Sequence, residues 1–145
     1  MHEPRYWGIR RRTVVPAFAM GLFLAWLPWP GHPLMAALLA LLFRINVPIA
    51  IVTTFVSNPL TMGPMYYTAY RLGVRLLGVE PQPFAFEMSF AWVTQTFVDI
   101  WQPMTVGCLL LGTLSAVFGF IVVDLLWRFS LHDYKSRKRR ERRSG

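Results

Sequence analysis

The chain has 145 residues, 54 % of them hydrophobic and 15 % charged, a formal net charge of +8 and a single cysteine. With a mean hydropathy of +0.40 it is too apolar for an ordinary soluble domain. One cysteine, Cys108, excludes an intramolecular disulfide framework and multi-cysteine metal clusters. The apolar residues sit in long runs and the charges collect at the ends, so an all-α integral membrane protein is expected.

Residues 1–12 read as a basic cytoplasmic arm, with Tyr6 and Trp7 at headgroup level ahead of Arg10, Arg11 and Arg12. The apolar run that follows lacks a small-x-small cleavage site, so no secretory signal is expected. Thr13 to Leu27 would form a helix of about 22 Å at 1.5 Å per residue, short of a hydrocarbon core of roughly 30 Å. Pro28-Trp29-Pro30-Gly31 then breaks the run, and Pro33 to Phe43 resumes it. Two short helices around a tight break predict a first hairpin over 13–43.

Arg44 closes that hairpin. Asn46 and Pro48 read as an N-cap and a first-turn proline. A second break, Ser57-Asn58-Pro59, repeats the signal more clearly, with Asn58 as N-cap and the helix running on through Tyr66, Tyr67 and Tyr70. The spacing predicts a second hairpin over 47–73, with Pro64 bending its first turns. Gly78, Pro81 and Pro83 mark a linker.

A third hairpin is predicted over 84–127. Its first half carries Glu87, Thr94, Gln95 and Asp99, and either crosses or lies at the interface. Its second half, Pro103 to Trp127, is an unambiguous apolar span with Gly107, Gly112 and Gly119 for close packing. Asp124 and Arg128 stand four apart and can pair. Residues 129–145 read as a basic cytoplasmic tail, disordered over Lys135 to Arg143. Lys and Arg at each return point place both termini in the cytoplasm, with hairpins that are re-entrant if too short to cross.

Helix N-termini carry unpaired N–H groups and the positive end of the dipole, and they attract anions. If the breaks converge, His32, Ser57, Asn58, Pro59, Thr61, Tyr66 and Tyr67 would line a site for an anionic amphiphile, a lipid or a lipid-linked phosphate. The plainer reading is that Ser57 and Asn58 only cap helices. It leads to the alternative: a structural or assembly membrane protein without transport, whose Gly107, Gly112 and Gly119 face docks a partner helix. Membrane lipids and a second copy or partner membrane protein are the expected partners. The basic tail is explained by retention at anionic lipid rather than by nucleic acid. No catalytic set, metal spacing or phosphate-binding glycine loop is present, so no enzyme activity, metal or cofactor is expected.

Ala19-Met20-Gly21-Leu22-Phe23, Leu27-Pro28-Trp29-Pro30-Gly31, Arg44-Ile45-Asn46-Val47-Pro48 and above all Ser57-Asn58-Pro59-Leu60-Thr61-Met62-Gly63-Pro64-Met65-Tyr66-Tyr67 resemble the bacterial membrane family known as domain of unknown function 2062. The resemblance implies a multi-pass bacterial inner-membrane protein and assigns no activity. It departs from the family at the first break, where His32-Pro33 follows the glycine in place of a polar residue, often Gln.

Overall fold

Among the described residues are five α-helices and a short π-helical segment: α1 (Arg11–Ala25), α2 (His32–Leu42), α3 (Val47–Thr54), α4 (Pro59–Leu77), the π segment Trp92–Thr96, and α5 (Phe97–Glu141). The structure, a computed structural model, describes residues 7–29, 31–83 and 89–141. There is no strand among them, so the fold is all-α as the composition predicts. Among the described residues one helix is long and apolar enough to cross a membrane, over Val98–Ser130, 33 residues with a mean hydropathy of 2.4.

Local chemistry sets the boundaries. Asn46 and Asn58 start α3 and α4 in extended backbone and accept hydrogen bonds from first-turn N–H groups, with proline at the start of each helix. α2 also carries a proline in its first turn, but its N-cap, Gly31, supplies no side chain. At the far end of α4, Gly78 takes up φ 64° and its N–H returns to the Val74 carbonyl, the left-handed stop that glycine adopts without strain. Arg44 makes the turn between α2 and α3 at φ 55° without that freedom.

The directions of the helices follow from which residues meet. Arg11 reaches Asp124 and Trp26 reaches Ser115, so α1 runs antiparallel to α5. Gly73 lies against the Pro103 carbonyl and Gly107 against the Ala69 carbonyl, so α4 is also antiparallel to α5, farther along it. The Asn46 N–H bonds the Thr13 carbonyl, and Gly21 lies against Ala50 and Thr53, so α3 runs parallel to α1. α1, α3 and α4 therefore all run the same way, and α5 is the spine against which α1 and then α4 dock. Two apolar clusters follow: one joins α4 to α5 around Tyr66, Tyr70, Met104 and Cys108, the other joins α1, α2 and α3 around Ala17, Leu24, Ala36 and Ala50.

This corrects four expectations. The second hairpin, 47–73, is not a hairpin: α3 and α4 do not pack on each other, α3 lying on α1 and α2 while α4 lies on α5. The break does not reverse the chain, because tight turns onto Val52, Thr53 and Thr54 close α3 and only Asn58 is extended before α4 resumes. In the third, no turn occurs at Asp99 to Pro103, since α5 runs through Pro103, whose carbonyl packs on Gly73; Phe84 to Met88, with Glu87, lie outside the described residues. Finally, the helical backbone continues to Glu141 where a disordered tail is expected. Gly107, Gly112 and Gly119 meet Ala69, Phe23 with Trp26, and Leu22 with Phe18. The small-residue face thus docks this chain's own α4 and α1, not a partner helix.

A side chain at Gly107 would collide with the Ala69 backbone. Gly107→Val should therefore destabilise the purified protein by about 3 kcal/mol or more, the upper range for overpacking. Gly78→Ala, where a Cβ meets open space but the backbone is left-handed, should cost about 1 kcal/mol. Thermal unfolding in detergent compares the two.

Candidate functional site: where two helix breaks meet

The break after α1 and the break before α4 adjoin. His32 and Ser57, 5 % and 4 % exposed, face each other with the Ser57 Oγ 3.1 Å from His32 Nε2. His32 Nδ1 lies 2.5 Å from the Trp29 carbonyl, and the Ser57 hydroxyl is also within 2.9 Å of the Thr54 carbonyl. Placement of both side chains follows from the helix starts. His32 is the first residue of α2, and Ser57 hangs from the turn that ends α3, held by its N–H on Thr54.

Asn58 is half-buried. Its side-chain oxygen accepts from Leu60 N at 2.9 Å and Thr61 N at 3.1 Å. Thr61 Oγ1 in turn accepts from Asn58 N at 2.9 Å and donates to the Val56 carbonyl at 2.7 Å, a reciprocal capping box. Pro59 is exposed. Tyr66 is buried, and its hydroxyl donates to the Leu27 carbonyl at 3.1 Å, tying α4 to the first break. Tyr67, one residue on, is 46 % exposed and meets Arg71, whose guanidinium lies 5.8 Å from its ring centroid.

Of the seven residues singled out in the sequence, His32, Ser57 and Tyr66 converge on one junction. Asn58 and Thr61 form the cap beside it, Pro59 faces outward, and Tyr67 turns away. The backbone carbonyls of Leu27, Trp29 and Thr54, which receive these groups, carry no sequence signal. Nor does the partnership of Arg11 with the Asp124–Arg128 pair, in which Asp124 holds Arg11 at 2.5 Å and Arg128 at 2.9 Å and the hydrogen bond raises the Arg11 pKa above its ordinary value. Every buried side-chain nitrogen and oxygen among the described residues has a partner, and no cluster of metal-ligating side chains occurs among them.

The arrangement defines an all-α protein in which an interrupted helix and the tip of a neighbouring helix pair share one polar junction against a single long apolar helix. The chain belongs to the family described as an uncharacterized protein conserved in bacteria, domain of unknown function 2062, whose profile matches residues 1–136. No curated protein and no solved structure matches it significantly.

Tyr66→Phe should cost about 1 kcal/mol, the usual net worth of one buried hydrogen bond, whereas Tyr67→Phe should leave stability unchanged within about 0.5 kcal/mol. Denaturant unfolding of the purified protein measures both.

Proposed function

We propose that the protein is a multi-pass membrane scaffold in which α3 and α4 together make one interrupted crossing, α5 a continuous one, and α1–α2 a re-entrant pair whose tip plugs the interruption. Charge placement supports the membrane reading. Arg10, Arg11, Arg12, Arg44, Asp124 and Arg128 gather at one end, and Arg71, Arg75, Asp99 and Gln102 occupy the other. Asp124 and Gln102 are separated by about 33 Å along α5 at 1.5 Å per residue, close to the roughly 30 Å of a hydrocarbon core. Exposed side chains between the ends include Leu34, Leu38, Phe55, Leu60, Leu114 and Phe118, a coverage suited to lipid and poorly suited to water. Trp26, which contacts Ser115 and Gly112, sets the tip about 14–18 Å along α5 from Asp124, near the middle of that band.

The observation that carries the scaffold reading is the closure of the junction. The side chains of Ser57, His32 and Tyr66, the Thr61 hydroxyl and the Asn58 side-chain oxygen all bond the chain itself, as a break in lipid requires. The basic end faces the cytoplasm by the positive-inside rule, in the inner membrane of a bacterium. Lipids are its surroundings, and its exposed apolar faces suit a second copy or another membrane protein. A second reading, binding or translocation of an anionic amphiphile, has its own support: the N-terminus of α2 has no side-chain cap and adjoins that of α4.

Mass spectrometry of lipids retained on the gently purified protein separates the two. The scaffold reading expects no anionic lipid enriched over the membrane average, and Asn58→Ala to lower the amount of folded protein, since a lost cap costs about 1 kcal/mol. Specific enrichment that Asn58→Ala abolishes at unchanged protein level would establish the second reading. For topology, single cysteines at Glu80 and Ser136 in a Cys108→Ala background should be labelled from opposite sides of the membrane. Labelling from the same side would show that α3 and α4 do not cross.

A further inference from the structure

The capping box at the interruption leaves one donor and one acceptor over. The Asn58 side-chain oxygen is taken by the Leu60 and Thr61 N–H groups, which fixes the other end of the amide as Nδ2, a donor. Nδ2 makes no hydrogen bond to a described residue, and every buried side-chain nitrogen among those residues has a partner, so this one opens to the surface. On the acceptor side, Phe55, Val56 and Ser57 each turn their N–H back three residues, to the Val52, Thr53 and Thr54 carbonyls. The next N–H in that series is Asn58's, and it goes to Thr61 Oγ1 instead. The one after would be Pro59's, and proline has none. The Phe55 carbonyl is thereby left without a donor among the described residues.

We propose that a second copy of this chain covers the interruption, the Asn58 amide of each protomer donating to the Phe55 carbonyl of the other. The inference rests on the membrane reading, because water at a surface would satisfy both groups, whereas in an apolar band only protein does so. The interruption lies beside the tip of α1–α2, near the middle of that band. Three features select a second copy as the occupant. Donor and acceptor stand three residues apart on residues that reach the surface, so a twofold axis sets each against its complement, the condition for a closed pair. An anion would meet the amide but also the negative end of the carbonyl dipole, and a lipid tail offers neither donor nor acceptor. Around the two groups, Val52, Phe55, Val56 and Leu60 are exposed, Leu60 at 88 %, and none carries a charge. Such a patch packs against itself about as readily as against lipid, and the paired polar groups supply the preference for self-association.

The test uses the full chain in vesicles of zwitterionic lipid, labelled through Ser136→Cys in a Cys108→Ala background. Energy transfer between donor- and acceptor-labelled copies, followed as lipid is added, gives the dimer dissociation constant. The expected result is a dimer that Asn58→Ser weakens about eightfold, the loss of two symmetry-related hydrogen bonds at the strength usual between helices in lipid. Serine keeps an oxygen to cap α4 and has no amide to extend outward. Crosslinking carries the test if that variant does not fold. Single cysteines replacing Phe55 or Leu60 should join two copies on oxidation, while cysteines replacing Leu38 on α2 or Phe118 on α5, also exposed and apolar, should not. Monomers at every protein-to-lipid ratio, a dimer that Asn58→Ser leaves unchanged, or crosslinks formed through Leu38→Cys or Phe118→Cys instead would overturn the proposal. So would a lipid that Asn58→Ser releases from a monomer, which would assign the amide to an amphiphile. The labelling of Glu80 and Ser136 separates the two failures: monomers with opposite-side labelling end the dimer and leave the membrane reading standing.

Discussion

The fold depends on backbone touching backbone along α5. Gly73 on Pro103 and Gly107 on Ala69 bring α4 and α5 closer than any side chain permits. Gly21 does the same for α1 and α3, where an added Cβ would lie 2.6 Å from both the Ala50 oxygen and Thr53 Cβ. Where the surroundings are as apolar as the helices, burial of apolar surface gives little reason for helices to associate, and dispersion across close contacts has to supply it. The glycines supply that closeness at both levels of the spine.

Holding α1 and α4 at successive heights on α5 has a consequence for the chain between them. α3 ends at the level where α1 ends, and α4 starts again from there in the same direction, so the interruption at Ser57 and Asn58 falls beside the tip that joins α1 to α2. The tip and the interruption are thereby brought together, and side chains join them. Tyr66 from α4 takes up Leu27 of the tip, and Ser57 meets His32. Solvent could satisfy such groups at a surface; in an apolar band only the chain can.

Much of this was legible in local sequence. Asn46, Asn58, Pro48, Pro59 and Gly78 announce helix ends through mechanisms that act within four residues, and the structure uses each of them at those ends. The long apolar run from Pro103 is equally plain. Direction was not legible. A break rich in proline reads alike whether the chain reverses or continues, because the choice between α3 folding back on α4 and climbing past it is made by α5, dozens of residues away. The same limit applies to the site. The helical period puts Tyr66 and Tyr67 about 100° apart, so only one could enter the junction, but which one depends on where α5 lies. Arg11 and Asp124 carry no pairing signal at their separation in sequence, and the carbonyl partners of His32 carry none at all.

The junction is also where the chain departs from local sufficiency. Asn58 and Thr61 form the cap with each other and with adjacent backbone, so α4 would be capped whether or not α1–α2 were present. His32 and Ser57 differ, because their mutual contact is nonlocal and forms only where the tip of α1–α2 lies against the interruption. The union of the tip and the interrupted helix therefore depends on where α1 and α4 dock, and the glycine contacts along α5 fix that.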